Sequence, residues 1–313
     1  MQDAGDCYNP TMSRTARMFA KACAFADRIK NADQKTPDDI VRFDDISYGP
    51  DPVWNVLDVY RPRDVQGPLP VIIDVHGGGW VYGDKYAYQY YCMSLAQRGF
   101  AVVNFSYRLA PEHVFPAGMQ DMDAVVRFVL SNGTTYGFDL SNVFLVGDSA
   151  GAHMTLMYSC MCTDRQYAEL LGVIPPEGFM PKAIVLNCGI YDISAMLKET
   201  GPSIMLLKPL TRDLLGVEKI PDVLSPVQEG VLRPAAHVGS TFPAVYVMTS
   251  TGDFLNRQPD LLLPVLEKNG IPHVFRVFGS ETNRLTHVFH CDLRLPDAAE
   301  CNDAEAAFIK SCL

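Results

Sequence analysis

Val143-Phe144-Leu145-Val146-Gly147-Asp148-Ser149-Ala150-Gly151-Ala152-His153-Met154 decides how the rest of this chain is read. Four apolar residues lead into Gly147-Asp148-Ser149-Ala150-Gly151, a pentapeptide of the form G-x-S-x-G, and a mostly apolar run from Ala152 to Cys162 follows. That order predicts a buried strand, a sharp turn and a buried helix. Such a turn raises a serine hydroxyl above the sheet edge and aims the positive end of the helix at it. Glycines on both sides of Ser149 suit a tight turn, where a side chain at 147 or 151 would strike neighbouring backbone. The pentapeptide alone recurs by chance. The strand–turn–helix setting favours Ser149 as a nucleophile over Ser149 as an ordinary helix cap.

Working outward, the periodicity alternates between strands and helices. Residues 11 to 31 read as a helix, with Phe19, Cys23, Ala26 and Ile29 at three- and four-residue spacing and Ser13 as its cap. Val41 to Tyr48 and Val53 to Tyr60 read as paired strands around Gly49-Pro50-Asp51-Pro52. Val71 to Val75 is apolar apart from Asp74, as expected of a central parallel strand. A helix over 84–98 stops at Gly99; Ala101 to Tyr107 is a strand, Met119 to Leu130 a helix and Lys182 to Asn187 a strand. Ala244 to Thr249 and His273 to Phe278 are further strands, with helices over Leu261 to Lys268 and Ala298 to Ile309. Residues 192 to 241 show no clear strand and read as an insertion over the sheet edge. The expectation is an α/β fold with a mostly parallel central sheet flanked by helices.

The totals narrow the function classes. Lys and Arg number 26 against 36 Asp and Glu, a net charge of −10. An acidic surface repels phosphate backbones and anionic bilayers, so neither nucleic acid nor membrane is an expected partner. No apolar run nears the roughly 20 residues that span a bilayer, and the N-terminus has no basic stretch followed by an apolar core. Nine scattered cysteines without a C-x-x-C pair fit reduced thiols in a cytoplasmic protein. Cys160 and Cys162, one residue apart on a helix, point in different directions and make a poor metal pair.

A serine nucleophile needs a base, an acid to hold that base, and donors for the oxyanion. In α/β-hydrolases, which carry their nucleophile on such a turn, the chain order is serine, acid, histidine, and that order can be tested on this chain. Asp253 follows the strand through Val245-Tyr246-Val247-Met248, at the carboxyl edge of the sheet. Asp260 falls at a helix start and reads as a cap. Beyond Asp253 stand His273, His287 and His290. His273 opens a strand. His287 follows a turn-rich loop that can swing back over Ser149, with His290 as its competitor. His153, four residues after the serine on the same helix, faces packing. His76-Gly77-Gly78-Gly79-Trp80 follows the Val71–Val75 strand, and its glycines let amides approach a ligand closely. The expected donors are the N–H groups of Gly77, Gly78 and Ala150, with His76 as a brace for the loop.

These residues, with Tyr107-Arg108-Leu109-Ala110-Pro111-Glu112, Phe115-Pro116-Ala117, Asp253-Phe254-Leu255 and His287-Val288-Phe289, resemble the block motifs of the hormone-sensitive-lipase-like esterases. That family, also called bacterial family IV, belongs to the α/β-hydrolases. The likeness runs over roughly residues 50 to 310 with the blocks in family order. It implies an α/β-hydrolase fold with a small helical cap: residues 1–40 as an N-terminal helical part of the cap, 192–241 as the cap insertion, and 41–191 with 242–313 as the catalytic domain. It places Ser149, Asp253 and His287 on the catalytic triad and Gly77, Gly78 and Ala150 on the oxyanion hole. The turn from Arg108 to Glu112 is a structural brace in such proteins. Ala152-His153 departs from the usual Gly-Asn after the pentapeptide and resembles small acetylesterases that deacetylate carbohydrates.

The expected function is a serine carboxylesterase acting on a small-molecule ester with a short acyl chain, with no metal or organic cofactor. An acetylesterase for acetylated carbohydrates is the nearest alternative. A non-catalytic binder on a hydrolase scaffold is an alternative of another class, against which His287 counts. Trp80, Tyr82, Met205, Leu206 and Leu207 are candidates to line the acyl pocket, with plain core packing as the competing reading. Related esterases often dimerise through the last strand and helix, so a homodimer is a possible assembly.

Overall fold

A computed structural model describes residues 12–313 of the chain. Helix α1 (Arg14–Asn31) begins where the Ser13 hydroxyl accepts the Ala16 N–H at 3.1 Å. Strands β1 (Ile40–Ser47) and β2 (Val56–Pro62) pair antiparallel. Then come β3 (Leu69–Val75), α2 (Lys85–Gln97), β4 (Ala101–Phe105), α3 (Ala117–Ser131), the single turn α4 (Gly133–Tyr136) and β5 (Phe138–Asp148). The serine helix α5 (Ala150–Thr163) is followed by α6 (Arg165–Leu171) and β6 (Ala183–Asn187). Three helices, α7 (Ile193–Met196), α8 (Pro202–Leu215) and α9 (Pro226–Leu232), occupy the stretch without strands. The chain closes with β7 (Ala244–Ser250), α10 (Pro259–Lys268), β8 (His273–Phe278) and α11 (Pro296–Ser311).

The eight strands form one sheet in the order β1-β2-β4-β3-β5-β6-β7-β8. Only the β1–β2 and β2–β4 pairs are antiparallel; every pairing from β4 to β8 is parallel. The central strands feed two cores at once. Val71, Ile73, Val143 and Leu145 join α3 and α5 on one face, while Ile72, Phe144 and Val146 join α2 and α11 on the other. A strand buried on both faces needs apolar residues at successive positions, which is why these segments lack polar alternation. Helix boundaries follow local chemistry: Asp84 accepts the Ala87 N–H at 2.9 Å to start α2, and Gly99 takes a left-handed φ of 100° just past its end.

Two expectations change. The apolar stripe of α1 is not a core stripe: Ala16 is its only buried residue, Ile29 is 43% exposed, and Phe19 packs toward the sheet edge beside α8. The strand expected to run on to Tyr107 ends at Phe105, and the backbone then enters the Arg108 loop. Arg108 in that loop pairs with Asp121 of α3 at 2.9 Å, while Glu112 stays exposed. The eight cysteines among the described residues are all free thiols. Among those residues no helix is long and apolar enough to cross a membrane.

Parallel strands end at a common edge. There β3 delivers the glycine loop, β5 delivers Ser149, β6 delivers Cys188, β7 delivers Asp253, and the loop after β8 delivers His287.

Candidate active site

Ser149 sits between β5 and α5 with φ 52° and ψ −116°, a conformation a non-glycine residue takes only under constraint. Its amide donates to the Asn187 carbonyl at 2.9 Å, which ties the turn to β6. A Cβ at Gly147 would lie 2.6 Å from the Gly151 carbonyl and from the Thr155 hydroxyl; one at Gly151 would overlap the Val75 carbonyl. The two glycines are therefore required by space, as the pentapeptide suggests.

The structure brings His287 and Asp253 to this serine. His287 Nε2 lies 2.9 Å from Ser149 Oγ, and its Nδ1 lies 2.7 Å from Asp253 Oδ1. With Asp253 ionised, Nδ1 carries the proton and donates it to the carboxylate, so Nε2 is left to accept from the serine hydroxyl. The reach of the histidine loop is set by ties to the acid loop. The Gly252 N–H donates to the Leu285 carbonyl at 2.8 Å, and the Ser250 hydroxyl donates to the carbonyls of Leu285 and Thr286 at 2.9 and 3.1 Å. Asp253 also accepts the Leu255 N–H at 2.8 Å and the Thr249 hydroxyl at 3.0 Å. Burial pushes its carboxyl pKa up; the His287 hydrogen bond and charge, the Leu255 amide and the Cys188 thiol together outweigh that and hold it below the ordinary value.

The other histidines lie elsewhere. His290 is fully buried, beside Cys291, and burial pushes its pKa down to about 3. His273 bonds its own strand end at the Ile271 carbonyl, 2.8 Å away. His153 faces packing, its Nε2 2.7 Å from the Val231 carbonyl of α9. His76 braces the glycine loop: its Nδ1 is 2.8 Å from the Gly77 carbonyl and its ring stacks on Tyr107 at 4.0 Å.

The glycine loop requires a correction. The Gly77 N–H does not face Ser149. It is shared by Asp148 Oδ1 and the Tyr88 hydroxyl, each at 3.1 Å, and a Cβ there would strike the Asp148 carboxylate. Gly77 is thus the anchor of the loop. Among the described residues no acceptor takes the amides of Gly78, Gly79 or Ala150, and Gly79 and Ala150 line one cavity with Ser149. Gly78 and Gly79 have φ of 109° and 60°, and a Cβ on Gly78 would overlap the Tyr82 carbonyl. The Tyr107 hydroxyl donates to the His76 carbonyl at 2.8 Å, and the Trp80 carbonyl accepts the Ala110 N–H at 2.9 Å, fixing both ends of the loop.

A cavity of about 360 Å³, counting its open mouth, lies against Ser149. Trp80, Leu206 and Leu207 line it, as expected. Tyr82 and Met205 do not: the Tyr82 hydroxyl donates to Asp27 of α1 at 2.9 Å, and Met205 is 77% exposed on the outer side of α8. One helical position separates Met205 from Leu206, and that turns it to solvent. Phe19, Ile190, Leu210, Phe254 and Leu255 add to the wall. Phe254 stands in the Asp253-Phe254-Leu255 block, whereas Phe19, Ile190, Leu210, Tyr88, Thr249, Ser250 and Cys188 carry no motif signal. Asp148 does, since it stands inside the pentapeptide. Among the described residues, Cys188, Asp253 and His287 alone form a group of three metal-ligating side chains close enough to share an ion; two of them are already engaged with each other.

Comparison with known proteins now bears on this geometry. The profile of the family BD-FAE matches residues 57–256, more than half of the chain. The chain belongs to the BD-FAE family. It is an α/β-hydrolase of the hormone-sensitive-lipase-like group, and the matched stretch carries Ser149 and Asp253 but ends before His287. The esterase LipC of Mycobacterium tuberculosis is 35% identical over 152 residues, which cover 47% of this chain and 36% of that protein. The carboxylesterase NlhH of the same organism is 35% identical over 135 residues, 42% of each. The chain thus spans less than half the length of these curated relatives. Among solved structures, esterase B from Lactobacillus Rhamnosis is 26% identical, with a TM-score of 0.84 over 95% of this chain and 93% of that one. An esterase of Pyrobaculum calidifontis is 25% identical, with a TM-score of 0.72 over 97% and 94%.

Proposed function

We propose that this protein is a serine carboxylesterase that hydrolyses short-chain acyl esters through an acyl-enzyme intermediate. The observation that carries the reading is the unbroken line Asp253–His287–Ser149, at 2.7 and 2.9 Å, with three amides nearby that no acceptor among the described residues takes. Ser149 Oγ attacks the ester carbonyl carbon as its proton passes to His287 Nε2. Asp253 holds the imidazole in the tautomer that can accept that proton and stabilises the imidazolium. The carbonyl oxygen takes the developing charge within reach of the Gly78, Gly79 and Ala150 amides at the N-terminus of α5; losing one such donor costs roughly 3 kcal/mol of barrier. Collapse breaks the ester C–O bond, and His287 protonates the departing alkoxide. Water then repeats the sequence on the acyl-serine and frees the acid.

Several features support the substrate class. The cavity is narrow and its walls are almost wholly apolar, which suits a short acyl chain better than a long one. We assign α1 and residues 192–241 to a cap, because Phe19 of α1 and Leu206, Leu207 and Leu210 of α8 roof the cavity. Esterase B, the structural relative above, has also been crystallised inhibited by a tributyrin phosphonate, a short-chain ester mimic.

Hydrolysis of p-nitrophenyl esters from acetyl to decanoyl tests the proposal. Turnover should peak at short chains and fall to background in Ser149→Ala. Wild-type protein that turns over none of them, with its fold intact, overturns the reading.

A further inference from the structure

Helix α1 turns an apolar stripe to solvent. Met18, Ala22, Phe25 and Ile29 follow one another at four- and three-residue spacing, which lines them up along one side of a helix. All four are exposed, Met18 at 64%, Phe25 at 57% and Ile29 at 43%. The opposite side of the helix faces the protein. There Ala16 is buried, Phe19 lines the cavity at Ser149, and Asp27 accepts the Tyr82 hydroxyl at 2.9 Å and pairs with Lys30 at 2.7 Å.

The charge on this helix is opposite to that of the chain. Arg14, Arg17, Lys21, Arg28 and Lys30 stand against Asp27, a net charge of +4 in a chain whose net charge is −10. Arg14 and Arg28 are exposed and fall along one flank of the stripe, and the Arg28 guanidinium lies 5.5 Å from the centroid of the Phe25 ring. In ~0.1 M salt, exposed charges are screened beyond about 10 Å, so a surface that touches α1 meets the sign of this helix and not the total. The repulsion from anionic bilayers expected of the total does not extend to this face.

Size selects the occupant. A helix of 18 residues, about 27 Å long and about 10 Å wide, presents a face of about 270 Å². A stable protein interface takes about 800 Å² from each partner. A lipid surface sets no such threshold, because apolar side chains enter it singly while neighbouring cations meet its headgroups. We propose that the outer face of α1 docks on an anionic lipid–water interface, with Met18, Phe25 and Ile29 at the acyl boundary and Arg14 and Arg28 among the headgroups. The Ser149 cavity, which Phe19 lines from the inner side of the same helix, then lies one helix diameter, about 10 Å, from the lipid. The docking does not rest on the esterase reading.

Cosedimentation of the full chain with vesicles tests it. Phosphatidylcholine vesicles containing phosphatidylserine should bind the protein at least tenfold more tightly than phosphatidylcholine alone, and added salt should weaken the binding. Met18→Ser, Phe25→Ser and Ile29→Ser combined should reduce it at least tenfold, as should Arg14→Glu with Arg28→Glu. In Phe25→Trp the fluorescence should move to shorter wavelength on anionic vesicles, a shift that Trp54 and Trp80 of the wild type do not give. If the triple variant does not fold, Phe25→Trp decides alone.

No binding to anionic vesicles, equal binding to neutral ones, or binding that the stripe variants retain overturns the proposal. A dimer in sedimentation velocity that the stripe variants dissolve, with no vesicle binding, also overturns it and assigns the face to a second copy. Binding is read without turnover, so a protein that docks and hydrolyses no ester refutes the esterase reading and leaves the docking standing.

Discussion

Tyr88→Phe removes one hydroxyl and tests how the glycine loop, the oxyanion site of the proposed mechanism, is held. That hydroxyl donates to Asp148 Oδ2 at 2.9 Å and accepts the Gly77 N–H at 3.1 Å, and both side chains are buried. Burial drives the Asp148 pKa up to about 6, against the opposing pull of the Tyr88 hydroxyl, His287, Lys30 and the Gly77 amide. An unfolded aspartate titrates near 3.9. The folded value is the higher one, so between the two the folded state holds a proton that the unfolded state has released. Stability from this group therefore falls as pH rises from about 4 to about 6, and above that the buried charge costs about 3 kcal/mol. The Tyr88 bond offsets part of this, and it is strongest when the carboxylate is charged: about 1.5–3 kcal/mol, against about 1 kcal/mol for a neutral pair. Tyr88→Phe should cost about 2 kcal/mol at pH 8 and about 1 kcal/mol at pH 5. Urea unfolding at the two pH values measures this as the shift in midpoint at constant slope. The same variant should lower kcat on a short p-nitrophenyl ester more than tenfold at pH 8, because Gly77 anchors the amides that follow it. An equal loss of stability at both pH values, or a larger loss at pH 5, would refute the account.

Two further outcomes follow from buried acids. Asp253→Asn should fold and bind ester with little change in KM, while kcat falls roughly 10⁴-fold, because an amide at 2.7 Å from Nδ1 no longer enforces the donor tautomer; steady-state kinetics showing less than a hundredfold loss would sink it. Glu305, which accepts the Tyr91 hydroxyl at 3.0 Å and Asn187 Nδ2 at 3.1 Å, is pushed up to about 7 by burial. Its stability contribution therefore drops as pH rises from about 4.3 through about 7, so Glu305→Gln should flatten the fall in melting temperature over that range and be the more stable protein at pH 8. A variant whose thermal stability keeps the wild-type pH dependence would show that Glu305 is not the group responsible.

What the sequence disclosed is what long-range topology imposes. Alternating strands and helices force a parallel sheet, parallel strands share a carboxyl edge, and residues following strands in the order Ser149, Asp253, His287 have one edge at which to meet. The glycines at 147 and 151 were legible because their constraint is local: each faces backbone that a Cβ would strike. What stayed hidden depends on orientation within an element. Met205 and Leu206 are neighbours in sequence and differ in which side of α8 they face, which no apolar run distinguishes. The α1 stripe has helical spacing, yet Ile29 is exposed, because α1 packs chiefly on α8 and α2 and not on a face of the sheet.

The misreading of Gly77 has the same origin and is the most instructive. A triple glycine announces that amides approach something; it does not say which amide approaches what. The answer lies in Asp148, 71 residues away. Its carboxylate, brought beneath the loop by the β3–β5 pairing of Val75 with Gly147, claims the first amide together with Tyr88. That shifts the free donors one residue along, to Gly78 and Gly79. Asp148, beside Ser149, thus fixes the register of the glycine loop from the neighbouring strand. Its burial is the thermodynamic cost of that register; in the mechanism proposed above Asp148 positions the loop, and the acid that orients the base is Asp253, 105 residues further along the chain.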